Sequence, residues 1–420
     1  MVNTKKKLVS RNNKLLNTKP KLTKTQRVNK TKLKQTKTKT EEFKPKFKVL
    51  DKEYNMLPVY KNIQSRLNKV FKVTKAKAIV VAPTFEERKK LIEHIIGSYA
   101  VKQLSITSRF YYITELTKTI YGSVYKQKIP DMGITVGTAI KKIQDFGYKV
   151  FIHGGTIRDI FIHKPATDID IAFDKDVQSL EDLCKTEGWP CTIIDPRTQY
   201  INFGEDKGIS LEGDNLKSKF LIPMHNHEAT INDFAYDCQT NILIDISGHG
   251  LEDVLYKKIR LSPLPKYWTK WAKSDTIGKK PLRYLKLLQK GFTPRDDGSY
   301  EFVTNYIKDN FDKFYMEPIK PAYPVPRLKH FIIVNITQGN IDGDTGSYSF
   351  GANQNKLIGY LKVFKKHIGK EYFYKLMALF DESDLDLFEV EDVVSSLRRV
   401  LKNKKVIAAK QDIINKKKKK

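Results

Sequence analysis

The stretch VFIHGGTIRDIFIHKPATDIDIAF, Val150 to Phe173, decides how the rest of the chain is read. Lys149-Val150-Phe151-Ile152 reads as a strand, and His153-Gly154-Gly155 turns it sharply into a short helix from Thr156 to His163. Two glycines between a strand and a helix let the backbone approach a bulky anion, with the helix N-terminus aimed at it. The segment Thr167 to Phe173 then alternates polar and apolar residues, as a half-buried strand does. On a strand Asp168 and Asp170 share one face, so both carboxylates can serve one site. Paired carboxylates on a rigid strand suit Mg²⁺, with Mn²⁺ as a substitute, because such an ion keeps several waters and takes further ligands from substrate phosphates.

A third carboxylate is expected on a neighbouring strand. Gly208 to Glu212 offers Glu212 in an apolar setting, with Asp206, Asp214 and Asp233 as weaker candidates. Further strands are expected at 191–195, 200–203 and 241–246, and a helix at 137–147 precedes the central motif with Ala139, Ile140, Ile143 and Phe146 on one face. Upstream, 77–83 reads as a buried strand, and Thr84 with Glu87 opens a helix with a capping signature. Beyond Pro281 the pattern is mostly helical, interrupted by the Pro-rich run 318–326, which reads as a linker.

These residues resemble the head-domain signature of the class II tRNA nucleotidyltransferases and bacterial-type poly(A) polymerases, which belong to the polymerase-beta-like nucleotidyltransferases. Their pattern is an apolar strand, Gly-Gly-x-Val/Ile-Arg-Asp, a short gap and Asp-x-Asp. Downstream, Thr230-Ile231-Asn232, Ala235-Tyr236-Asp237, Leu243-Ile244-Asp245 and Leu251-Glu252-Asp253 are similar to its later segments, and Pro281-Leu282-Arg283 to its neck motif. The resemblance covers about 135–290. It implies an α+β fold: a head with a mixed sheet and helices, then a mostly helical neck and body. It further implies that Asp168, Asp170 and Glu212 hold two Mg²⁺ ions and do the catalysis. Gly154, Gly155, Arg158, Asn232 and Arg283 would handle the nucleotide. The implied reaction is attack of an RNA 3′-hydroxyl on the α-phosphate of ATP or CTP, releasing pyrophosphate.

The chain also departs from that pattern. The family's Arg-Arg-Asp falls on Asn226-His227-Glu228, so two cations are lost there. In the neck motif Asp becomes Lys280 and the second Arg becomes Lys286. No Glu-Asp-x-x-Arg, the motif with which CCA-adding members select C and then A, follows it. A second reading is therefore a catalytically degenerate head serving as an RNA-binding component of a ribonucleoprotein. The remaining histidines, His153, His163 and His225, show no metal-ligand spacing and read as structural or solvent-facing, as does His227. Trp268 and Trp271 among lysines could stack on RNA bases or pack between helices.

Charge supports a polyanionic partner. The 420 residues hold 77 Lys+Arg against 47 Asp+Glu, a net +30. Residues 1–48 supply +15 of this and 402–420 supply +8, leaving +7 for the body between them. The expected organisation is a disordered basic arm (1–48), a small α/β module of unassigned role (49–130), the head (131–262), a helical neck and body (263–401) and a basic tail (402–420). The arm would bind phosphates through counterion release. No apolar run is long enough to span a membrane. Cys184, Cys191 and Cys238 are too few and too scattered for a disulfide framework or a Cys-based zinc site. A cytoplasmic or other reducing compartment is expected, and a mitochondrial, viral or phage setting also suits a Lys-rich chain. The pattern does not fix an oligomeric state.

Overall fold

The computed structural model describes residues 58–418, apart from 75, 77, 83, 166–167, 196–199, 204–209, 216–226, 321–322 and 343–344. The basic arm, Asp206, His225 and Asn226 lie outside the described residues, as do the side chains of Asp168, Glu212 and Asp214.

Nine strands make one sheet: β1 (Ala78–Val81), β2 (Arg109–Ile113), β3 (Val150–His153), β4 (Asp168–Phe173), β5 (Cys191–Asp195), β6 (Tyr200–Phe203), β7 (Ser210–Asn215), β8 (Phe234–Asp237) and β9 (Ile242–Asp245). Their spatial order is β1-β2-β9-β8-β3-β4-β7-β6-β5. All neighbours run antiparallel except β4 and β7, which are parallel and place Asp170 opposite Glu212. The architecture is α+β, with a sheet-bearing head and a helical C-terminal region.

Alternation along the strands gives the sheet two apolar faces. Phe151, Ala172, Ala235 and Ile244 turn to one side and meet Leu91, Ile92 and Ile95 of a helix, together with Ala100 and Leu104 of the next. In chain order, α1 is Pro58–Phe71, and these two are α2 (Phe85–Ile95) and α3 (Ser98–Thr107). Thr84 caps α2 as its sequence predicts: its hydroxyl accepts the Glu87 N–H, and the Glu87 carboxylate accepts the Thr84 N–H at 3.1 Å. Ile152, Ile171, Tyr236 and Leu243 turn to the opposite side. There they join a core with Ile140 and Ile143 of α4 (Val136–Asp145) and Ile157 and Phe161 of α5 (Gly155–Phe161). Residues 78–113 thus share one sheet with the strands of the central motif, through the β2–β9 pairing.

That second core continues into the helical region. After α6 (Leu180–Glu187) and α7 (Gly250–Leu255) come α8 (Lys279–Gln289), α9 (Ser299–Asp309), α10 (Asn355–His367), α11 (Lys370–Met377) and α12 (Glu391–Leu401). Leu285, Val303, Leu357, Phe364 and Leu397 are buried together there. The run expected as a linker is a two-stranded ladder, Pro318–Lys320 against Tyr323–Pro326. Pro318 and Pro326 pair at the outer ends of the two strands, where no ladder donor is needed. Arg327 fixes it by donating to the carbonyls of Phe314, Glu317, Pro318 and Ile319.

Most of the stretch expected as a basic tail is a fifteen-residue helix, α13 (Lys404–Lys418). Val406 is buried, and Ala409 and Ile413 pack on the core. Their spacing is an apolar stripe that counting lysines hides. Cys184 at the end of α6 is joined to Cys191 at the start of β5 by a disulfide. They are seven positions apart, so turning α6 back into β5 brings together two cysteines that seemed scattered in sequence. Cys238 is buried with a free thiol. Among the described residues, no helix is long and apolar enough to cross a membrane.

Candidate active site

The Gly-Gly turn lies at the end of β3, beside β4 and β8. Gly154 has φ of +62°, a conformation that disfavours any side chain. Its N–H donates to the Phe234 carbonyl at 3.2 Å. A Cβ at Gly154 would stand 3.2 Å from Asp170 Oδ2 and 3.5 Å from His227 Nε2. The sequence suggested that this glycine lets an anion approach. In the structure the missing side chain leaves room for the Asp170 carboxylate and the His227 ring.

Gly155 opens α5, and a Cβ there would meet the Arg158 guanidinium at 3.1 Å. Arg158 is buried and curls back over the turn. Its Nε and Nη2 donate to the two oxygens of Asp159 at 2.7 and 2.8 Å, and Nη1 donates to Asn232 Oδ1 at 2.5 Å. The Asp159 carboxyl also accepts from Lys290 at 3.2 Å. Burial would raise Asp159, but Arg158 and Lys290 together hold it below the usual carboxylate value.

Asn232 is buried, and its amide donates to Glu228 Oε1 at 2.9 Å. Glu228 in turn lies 3.4 Å from Nε of Arg283, which remains partly exposed on α8. Burial pushes Glu228 up, while Arg283, its backbone hydrogen bond, Arg158 and Lys286 pull it net below its ordinary value. Arg158, Asn232, Glu228 and Arg283 therefore form one chain of contacts from the Gly-Gly turn to the neck helix. Asn232 and Arg283, expected at the nucleotide, spend these groups on protein contacts.

His227 Nδ1 lies 3.1 Å from Asp233 Oδ1. The Ser262 hydroxyl donates to the other Asp233 oxygen. Burial, Asp245 and Glu228 hold the Asp233 carboxyl well above the usual range. The His227 ring borders the same gap at Gly154 as the Asp170 carboxylate and is tied to Asp233. Asp233, a weaker third-carboxylate candidate, is committed to His227 and Ser262.

Other motif residues are structural. Asp245 accepts the N–H groups of Gly250 and Leu251 and caps α7. Buried Asp253 binds Arg260, Arg295 and Thr230. Trp271 is fully buried, and Trp268 packs on Phe302 while donating to the Pro263 carbonyl, so both pack between helices.

Strand alternation and the β4–β7 register place positions 168, 170 and 212 on one face of the sheet. Among the described residues no set of three metal-ligating side chains gathers, and two of the three expected ligands have side chains outside that set. The described part fits a hard divalent ion: the Asp170 carboxylate faces a cradle that a Cβ would fill.

No family model matches the sequence, and none of the curated proteins does. Solved structures resemble the chain at low identity. One is a tRNA-processing enzyme in an apo form, at 16% identity and a TM-score of 0.39, covering 62% of this chain and 63% of that one. Another is a tRNA nucleotidyltransferase complexed with a primer tRNA and an incoming ATP analogue, at 17% and 0.41, covering 64% and 75%. A third is a CCA-adding enzyme with CTP, at 16% and 0.40, covering 68% and 72%. The chain spans less than two thirds of the first of these.

Proposed function

We propose that this chain is a metal-dependent nucleotidyltransferase that joins CMP or AMP from CTP or ATP to an RNA 3′ end, in the manner of tRNA CCA-adding enzymes or poly(A) polymerases. The observation that carries this reading is Gly154, whose left-handed backbone and absent side chain make room for the Asp170 carboxylate between a turn and a strand. The register that sets Glu212 beside Asp170 supports it.

Asp168, Asp170 and Glu212 would hold Mg²⁺ or Mn²⁺. When bound, the ions supply positive charge to the phosphoryl oxygens and make the 3′-hydroxyl a better nucleophile. The protein does the rest by positioning. Arg158, held at the turn by Asp159 and Asn232, would act as a fixed charge near the phosphates. The RNA hydroxyl would pass its proton to water as its oxygen bonds the α-phosphorus, and pyrophosphate would leave with the electron pair of the broken P–O bond.

One observation favours the second reading, an RNA-binding component without catalysis. Glu228, where the resembled pattern has its Asp, is turned inward to Asn232 and Arg283. The deciding experiment supplies each of the four NTPs separately, and CTP together with ATP, with Mg²⁺ or Mn²⁺, to a tRNA lacking its 3′ end and to oligo(A). C followed by A indicates CCA addition, and a ladder of A indicates poly(A) synthesis. Asp168→Ala with Asp170→Ala should abolish either product. No incorporation by the unaltered protein under any condition would refute the enzyme and leave the binding reading.

A further inference from the structure

Helix α8 and the residue after it carry Lys280, Arg283, Lys286 and Lys290, spaced three, three and four apart, so all four stand on one face. All are half-buried. Arg283 meets Glu228, and Lys290 meets the Asp159 that grips Arg158. Lys286 donates to the Asn335 carbonyl at 2.6 Å. Among the described residues, Arg158, Lys280, Arg283, Lys286 and Lys290 thus lie close enough to act on one another's charge, and Asp159, Glu228 and Asp275 act on them in turn. Cations crowded in this way and partly withdrawn from water are relieved when a further anion joins them.

We propose that this row of lysines on α8 seats the polyphosphate tail of the incoming nucleoside triphosphate. The inference rests on the nucleotidyltransferase reading and deepens it by naming the side chains that take the phosphates. Two of these lysines, Lys280 and Lys286, stand where the chain departs from the resembled neck motif. The departures at Asn226 and His227 removed two cations, and Lys280 supplies one where the motif has an acid. An ammonium is a compact charge suited to phosphate oxygens.

Protonation gives the seat a readout other than turnover. Burial, then Arg283 and Lys290, push Lys286 down to about 7. Glu228 raises it and Lys356 on α10 lowers it further. Burial likewise brings Lys280 and Lys290 to about 8, with Asp275 and Glu228 opposing this at Lys280 and Asp159 opposing it at Lys290. A bound polyanion reverses the shift, so binding near pH 8 draws protons onto the lysines.

The test is calorimetric titration of the full chain at pH 8 with inorganic tripolyphosphate, and separately with ATP, in two buffers of different ionisation enthalpy. Both ligands should bind with net proton uptake. Lys286→Met and Lys290→Met should each weaken binding about tenfold, the loss of one charged hydrogen bond. Lys286→Arg should keep the affinity and lose part of the uptake, because a guanidinium is always charged; that variant separates lost charge from lost folding. Lysine-to-methionine variants that bind tripolyphosphate as tightly as the parent would overturn the proposal. So would displacement of tripolyphosphate by an RNA oligonucleotide with a 5′-hydroxyl, which would make the row a seat for RNA backbone. Proton-linked tripolyphosphate binding in a protein that incorporates no nucleotide would sink the enzymatic reading and keep the seat. Incorporation with an unchanged KM for ATP in the methionine variants would sink the seat alone.

Discussion

Arg283 on the neck helix reaches Glu228 on the head, Nε to Oε1 at 3.4 Å, and Glu228 passes the contact through Asn232 to Arg158 above the Gly-Gly turn. The link between the site and the helical region therefore runs through a carboxylate that is almost wholly buried.

Glu228→Gln should lower unfolding stability by about 1–3 kcal/mol at neutral pH, since it leaves buried donors facing a neutral amide. The pH dependence follows from the direction of the shift. Glu228 is held below its ordinary 4.5, so its contribution is complete above that pH and is lost as pH falls through the lower folded value. Denaturant titrations of both proteins should show a gap at pH 7 that closes under acid. A gap that widens there would contradict the assignment.

Gly154→Ala tests the room made for Asp170. An alanine at φ +62° is strained by about 1–2 kcal/mol. Its methyl would also press on the Asp170 carboxylate and the His227 ring. The protein should stay folded by circular dichroism while nucleotide incorporation falls at least a hundredfold. Full activity would show that Asp170 is not needed in this position.

In the helical region, Lys329 is nearly buried and donates to both oxygens of fully buried Asp384, at 2.9 and 2.8 Å, and to Tyr348 at 2.6 Å. Lys329→Met leaves the carboxylate without its counter-charge and should cost about 3–5 kcal/mol. Adding Asp384→Leu should recover much of that loss, and thermal melts of the two variants will decide. An additive double variant would mean that the pair is not coupled.

The disulfide makes a simple count. Unfolded without reductant, the protein should expose one reactive thiol, Cys238; with reductant it should expose three. Opening so short a loop should reduce stability by about 2–3 kcal/mol, visible as a lower melting temperature in Cys184→Ser. Three thiols before reduction would refute the bridge.

Much of this was legible in the sequence. The Gly-Gly turn, the alternating Asp168–Phe173 strand, the Thr84 cap and the helical region beyond Pro281 are local signals, written in neighbouring residues. What was not legible depends on distance. Nothing near Asn232 announces that it bridges Arg158 and Glu228, because Arg158 stands 74 positions away in the chain. That Lys290 meets Asp159 becomes visible only once α8 packs against the head. The apolar stripe of Val406, Ala409 and Ile413 was hidden by the lysines around it. The pairing of Cys184 with Cys191 needed the turn between α6 and β5 before it could be seen.

The β2–β9 pairing has a practical side. A chain shortened to begin at the sequence-based head boundary would lack β1 and β2 and leave β9 as a bare edge, with backbone donors and acceptors ready to pair with another molecule. It would also strip α2 and α3 from Phe151, Ala172, Ala235 and Ile244, on the sheet face that carries positions 168, 170 and 212. Such a fragment should self-associate, and its loss of activity would say nothing about chemistry.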